Sequence, residues 1–185
     1  MDNQAYKLKI LEERCTHARI EVGEALMADG LLLKEQLRGR VFDLVFLDAP
    51  CTGLGTLRRH PEIRWRLTPQ AISEQAKLNL GLLKSAAHAV AAGGALLYAT
   101  CTVTEEENRS VVEKFLASEI GQQFTVEPFS YTDVDTNTGT GIDTDTDTDT
   151  GTATDTDAVF YEPRLVSGGS DAHFCCVFRR AKSLS

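Results

Sequence analysis

The chain has 185 residues, 42% of them hydrophobic and 25% charged, with 14 Gly and 5 Pro, which describes one soluble globular domain of ordinary size. Its weakly polar stretches break within about ten residues, far short of the roughly 20 that a membrane-crossing helix needs. The N-terminus is too charged for a secretory leader, so the expected address is cytoplasmic.

The formal charge of −8 is localised. Residues 131–157 form a Thr/Asp/Gly tract with eight Asp and no Lys, Arg or Glu, and the rest of the chain carries 19 acids against 19 bases. That tract lacks the apolar residues needed to offset ordering entropy and reads as a disordered insertion. No Gly and Glu fall where a helix–loop–helix calcium site needs them. The bases cluster at Arg58, Arg59, Arg64 and Arg66, and again at Arg179, Arg180 and Lys182, patches able to meet phosphates. Five cysteines without CxxC spacing suggest neither a disulfide framework nor a zinc site, and no metal is expected.

Residues 5–18 carry Leu8, Leu11 and Cys15 at helical spacing, and residues 20–27 read as a weak strand interrupted by Gly23 and Glu24. Residues 41–48, Val-Phe-Asp-Leu-Val-Phe-Leu-Asp, are the clearest strand, with the apolar run of a buried parallel neighbour. Thr68-Pro69 then supplies a cap and a first-turn proline. The stripe Ile72, Ala76, Leu80, Leu83, Ala87, Val90 predicts a helix that stops at Gly93-Gly94. Residues 95–100 form the next strand. Thr104 before Glu105, Glu106 and Glu107 predicts a capped helix through Val111, Val112 and Phe115, its acids complementing the helix dipole. Residues 173–178 close the chain as a last strand, with Cys175 and Cys176 on opposite faces. The order βαβαβ predicts an α/β fold.

Cys51 and Cys101 each lie just beyond a strand-like run, where ligands bind in open α/β sheets. Gly53-Leu-Gly55 lacks the third glycine of a dinucleotide fingerprint and reads as a flexible substrate loop.

The run Asp48-Ala-Pro-Cys-Thr-Gly-Leu-Gly-Thr-Leu-Arg-Arg-His-Pro-Glu-Ile-Arg-Trp, followed by Gly93-Gly-Ala-Leu-Leu-Tyr-Ala-Thr-Cys-Thr and Glu106-Glu-Asn108, resembles the RsmB/NOP/Sun family of RNA cytosine-C5 methyltransferases. The Arg-Arg-His-Pro variant most resembles the branch acting on bacterial small-subunit ribosomal RNA. The resemblance implies a Rossmann-like class I methyltransferase sheet, S-adenosylmethionine as cofactor and RNA as partner. Cytosine C5 is too electron-poor to accept a methyl group directly, so a thiolate first adds at C6 and a second group assists elimination. The resemblance assigns Cys101 as nucleophile and Cys51 to product release. It places Asp2 on the cofactor ribose, Asp29 near adenine and Asp48 beside the methyl donor and target base. Arg58, Arg59, His60 and Trp65 fall in the basic motif expected to face RNA, where His60 reads equally well as a solvated loop residue and Trp65 either stacks on a nucleotide or, more simply, packs to anchor the loop.

Two departures stand out. Asp171-Ala-His-Phe174 replaces the family's usual Asp-Gly-Phe-Phe. The sequence begins where the family's second strand ends, without the glycine-rich loop after the first. The expectation is therefore a fragment, with 1–130 as catalytic domain, 131–157 as insertion and 158–185 as final strand and basic tail. A noncatalytic RNA-binding remnant is the alternative. An exocyclic-amine methyltransferase would want an aromatic residue at position 51 and has no use for Cys101.

Overall fold

The computed structural model describes residues 1–127 and 171–182. The expected insertion at 131–157 lies outside the described residues. Chain order is α1 (Ala5–His17), α2 (Leu33–Gln36), β1 (Phe42–Asp48), α3 (Ile63–Arg66), α4 (Pro69–Ala87), β2 (Val90–Thr100), α5 (Arg109–Leu116), β3 (Phe124–Glu127) and β4 (Phe174–Arg180), with short 3-10 turns between. The sheet runs β1-β2-β4-β3, with β1 and β2 parallel and β4 antiparallel to both β2 and β3. The α/β class is as expected; β3 was not, because a four-residue Phe-Thr-Val-Glu run carries too little period to be read alone.

The parallel pair is joined through α4. Thr68 caps it by accepting the Ala71 N–H at 3.2 Å, and Pro69 sits where a missing N–H costs nothing. Its buried face (Ala76, Leu83, Ala86, Ala87) packs with Leu96 and Tyr98 of β2 and Val111, Val112 and Phe115 of α5. β4 alternates, burying Phe174, Cys176 and Phe178 and leaving Cys175 half-buried, as the two-residue strand period requires. Phe115 meets Phe178 edge-on at 5.0 Å and Phe124 at 5.6 Å, closing the core.

Four expectations are corrected. Residues 20–27 make no strand; a single parallel bridge joins Met27 to Asp2, since Gly23 and Glu24 supply no apolar face to pair. Helix α4 ends at Ala87 rather than Gly93, because Val90 pairs with Phe42 as a strand residue. The register then jumps so that Leu44 faces Ala95, and the extra residues bulge out through Gly93 at φ +76°. β1 is not buried on both faces: Phe42, Leu44 and Phe46 are exposed, and only Val45 and Leu47 reach the core. Among the described residues β1 pairs with β2 alone. A hollow of about 450 Å³ lined by Leu26, Leu33, Leu37, Phe42 and Leu44 lies beside it. Finally, α5 begins after Asn108, so Glu105, Glu106 and Glu107 precede the helix instead of filling its first turn.

No helix among the described residues is long and apolar enough to cross a membrane.

Candidate active site

Parallel pairing of Asp48 with Ala99 brings the carboxyl ends of β1 and β2 to one sheet edge. The loops that leave them carry Cys51 and Cys101, fifty residues apart in sequence. Their sulfurs lie 3.3 Å apart, both thiols are half-buried, and the Cys101 N–H also points at Cys51 Sγ at 3.3 Å. The sequence placed both thiols at this edge; the structure brings them into contact.

The two sulfurs hold protons unequally. A hydrogen bond from the Cys51 thiol is the main effect lowering Cys101 to about 6. Burial opposes this, the charge of His173 assists it, and the charge of Asp48 opposes it. Cys51 is raised far above an ordinary thiol by the same bond, by burial and by the adjacent Cys101 charge. The Cys101 backbone N–H acts the other way on Cys51, yet one bond to a sulfur is the weaker influence beside desolvation and a neighbouring thiolate. The pair therefore keeps one proton, on Cys51, and leaves Cys101 as the thiolate.

Because a depressed pKa means that the thiolate persists well above the midpoint and is lost below it, alkylation of Cys101 by iodoacetamide should be at half its plateau near pH 6, level off at higher pH and fall away below. Cys51→Ala, which removes the main cause, should move the midpoint upward toward an ordinary thiol. A midpoint unmoved by that substitution would place the cause elsewhere.

Joining the two cysteine loops is a carboxylate whose place the sequence reading missed. Glu107 is fully buried. Its Oε1 accepts the Thr52 N–H at 2.8 Å, and its Oε2 accepts the hydroxyls of Thr52 at 2.5 Å, Thr104 at 2.7 Å and Thr102 at 3.2 Å. Asn108 completes the turn, donating to Thr102 O at 3.0 Å and accepting from Thr100 Oγ1 at 2.7 Å. Tyr98 Oη donates to Glu107 O at 2.6 Å, anchoring the turn to β2. An acid followed by Asn just past a strand was the available signal, but it reads equally well as a helix-start charge.

Gly53-Leu-Gly55 is packed, not flexible. The Gly55 N–H donates to Cys101 O at 3.0 Å, and Gly55 O accepts the Ala172 N–H at 3.0 Å. The segment before β4 is thereby tied to both cysteine loops. It holds His173 opposite Cys101, one residue beyond the Thr100–Phe174 pair. Asp171 pairs with Arg59.

Of the expected cofactor acids, Asp48 stands at the thiol edge, whereas Asp2 and Asp29 lie outside the four-stranded sheet. Asp2 is bridged to Met27, two residues before Asp29. Asp2 Oδ1 accepts the Gln4 N–H at 2.8 Å and Asp29 Oδ1 accepts the Leu31 N–H at 2.9 Å. Asp48 ends β1, exposed, and acts on Cys101 through its charge. Of the RNA-facing candidates, Arg58, Arg59, His60 and Trp65 are all exposed; Trp65 is 78% exposed with the Arg64 guanidinium 4.9 Å from its ring centre. His60 lies 3.3 Å from Glu62. The C-terminal bases differ from expectation: Arg179 forms two bonds to Glu127, at 2.9 and 2.8 Å, and Arg180 binds Gln123 at 2.9 Å, so both arginines are engaged within the fold. No cluster of His, Cys, Asp or Glu fit for a metal ion occurs among the described residues.

The model of the family described as 16S rRNA methyltransferase RsmB/F matches residues 1–162. The ribosomal RNA small subunit methyltransferase B of Thermus thermophilus is 52% identical over 84 residues, covering 45% of this chain and 21% of that protein. The probable ribosomal RNA small subunit methyltransferase B of Synechocystis is 38% identical over 127 residues, covering 68% and 27%. The chain thus spans well under half the length of these relatives. The crystal structure of NSun6 from Pyrococcus horikoshii with SFG matches 98% of this chain and 40% of its own at a TM-score of 0.70; at 20% identity that likeness concerns the fold.

Proposed function

The chain belongs to the 16S rRNA methyltransferase RsmB/F family, and on that premise we propose that it carries the two-thiol centre of an enzyme methylating C5 of a cytosine in ribosomal RNA. The observation that carries this reading is the contact of the Cys51 and Cys101 sulfurs at 3.3 Å, beside which the electrostatics of the site favour the thiolate on Cys101. Cys101, the thiolate, adds to C6 of the ring, and the electron pair displaced from the C5–C6 double bond makes C5 nucleophilic. Cys51, holding the proton, sits beside it for the later steps. Once C5 carries the methyl group, its proton passes to solvent water as the base, the double bond re-forms and Cys101 is expelled as thiolate, which the Cys51 thiol stabilises by the hydrogen bond it already makes.

S-adenosylmethionine, a sulfonium whose analogue accompanies the NSun6 fold, would supply an electrophilic methyl group. The donor set suits it. Asp2 and Asp29 are carboxylates each oriented by a backbone N–H, Asp2 also facing Lys7 at 3.8 Å, and each keeps lone pairs for hydroxyl or amine donors; we assign them to the ribose and adenine ends, and Asp48 to the reacting end. Arg58 would meet phosphates, and Arg59 and His60 would do so by exchanging Asp171 and Glu62 for them, while the exposed Trp65 ring offers a stacking face for an unpaired base.

Incubation with S-adenosylmethionine carrying a labelled methyl group and ribosomal RNA, then digestion to nucleosides, tests the reading. The expected product is labelled 5-methylcytidine. Label on the exocyclic amine of cytidine, or on another base, would overturn it.

A further inference from the structure

We propose that Glu107 is a positioning residue that sets the two thiols against a single pyrimidine ring by holding both cysteine loops on one buried carboxylate. The inference rests on the two-thiol reading above and deepens it. Thr52 is the residue after Cys51, and Thr102 the residue after Cys101. Both bond to Glu107 Oε2, and Thr52 also bonds through its N–H to Oε1. The two threonine hydroxyls lie 3.0 Å from one another, so the carboxylate and the hydroxyl pair form one knot joining the residues that follow the two cysteines. The bond between Tyr98 Oη and Glu107 O fixes the carboxylate's own backbone to the strand that ends at Cys101.

A full-length acid is an expensive way to tie two loops. Burying a carboxylate forfeits its hydration, which a neutral amide would largely avoid. What the carboxylate adds is acceptor-only chemistry and stronger, shorter bonds to four donors at once. That stiffness suits thiols that must reach neighbouring ring atoms, because small misplacement of a reacting group has a large kinetic cost. A carboxylate kept only for fold stability would be felt in the melting temperature, and the sulfur geometry of the molecules that remain folded would not change.

The thiol pair itself reports the difference without RNA or cofactor. The chain is equilibrated with reduced and oxidised glutathione as the redox couple, and the Cys51–Cys101 disulfide is quantified by peptide mass spectrometry, giving the effective concentration of one thiol at the other. Glu107→Gln, which keeps size and loses the charge, should lower that effective concentration by at least about tenfold, the factor carried by a lost charge-assisted hydrogen bond. Alkylation rates of Cys15, Cys175 and Cys176, which report the integrity of the rest of the fold, should be unchanged. Thr52→Val should act in the same direction, and Thr52→Ser, which restores the hydroxyl, should return the pair to its original value. If Glu107→Gln fails to fold, the Thr52→Val and Thr52→Ser comparison decides. An effective concentration unchanged by Glu107→Gln, or by Thr52→Val where the glutamine variant does not fold, would overturn the proposal. So would a general rise in reactivity of all five cysteines with Thr52→Val neutral, which is the signature of a purely structural carboxylate. Covalent trapping of RNA by the unaltered chain is scored separately: its absence would count against the two-thiol cycle, whereas trapping together with a pair indifferent to Glu107 would count against the positioning role alone.

Discussion

Cys101→Ala should abolish methyl transfer, by at least about 10⁴-fold, and leave no protein–RNA adduct, whereas Cys51→Ala should abolish turnover while accumulating an adduct that survives denaturing electrophoresis. The asymmetry follows from the proton. Cys101 is the sulfur lowered by the Cys51 hydrogen bond, so it is the group that can attack near neutral pH, and its removal ends the cycle before any bond forms. Cys51 keeps its proton, and its removal strips the stabilising bond from the sulfur that must depart. The adduct then forms but does not resolve. The same bond explains a second-order effect. Without Cys51 the Cys101 midpoint rises, so adduct in the Cys51→Ala protein should build up faster at pH 9 than at pH 7. Adduct accumulation by the Cys101 variant in place of the Cys51 variant would reverse the two roles.

Gly55→Ala should be the most damaging conservative change near the site. An added Cβ would lie 2.1 Å from Ala172 O, 2.8 Å from Cys101 O and 3.0 Å from Ala172 C, all backbone atoms that no side-chain rotation can clear. The loop must move, and with it go the bonds from Gly55 to Cys101 O and from Ala172 to Gly55 O. Overpacking of this kind costs about 3 kcal/mol, which for a domain of this size corresponds to a melting temperature lower by about 10 °C. Gly53→Ala is the internal control. Gly53 has φ +75°, so alanine is strained there, but its nearest neighbour is the tip of Ile63 at 3.3 Å, and a cost of about 1 kcal/mol is expected. Equal melting temperatures for the two variants would show that the 53–55 loop yields to both.

What the sequence disclosed and what it hid divide along physical lines. The placement of Cys51 and Cys101 was legible because it depends on two local signals, an apolar run and its end, joined by a rule about where parallel strands present their loops. Helix α4 was legible from Thr68-Pro69 and its apolar stripe, but its end was not. Val90 continues the helical period, and only pairing with Phe42, a contact across about fifty residues, draws it into β2. The exposure of Phe42, Leu44 and Phe46 could not be read from an apolar run, since composition gives a strand's affinity for burial and says nothing of how many neighbours cover it. Glu107 was misread for a related reason: three consecutive acids after Thr104 match a helix start, and two of the four donors that claim Glu107 belong to Thr52, fifty-five residues away. His173 and Gly55 also owe their importance to contacts distant in sequence, and Arg179, counted among bases able to meet phosphates, is instead paired with Glu127.

The central claim, that Cys101 is the sulfur that bonds to the base while Cys51 keeps the proton, is tested most directly by locating the bond. RNA carrying 5-fluorocytidine, whose C5 fluorine cannot leave as the proton does, is incubated with the protein and S-adenosylmethionine, and the trapped complex is digested and sequenced by mass spectrometry. The nucleotide is expected on the peptide containing Cys101, with Cys51 unmodified. A nucleotide on Cys51, or no covalent complex at all, would contradict the account.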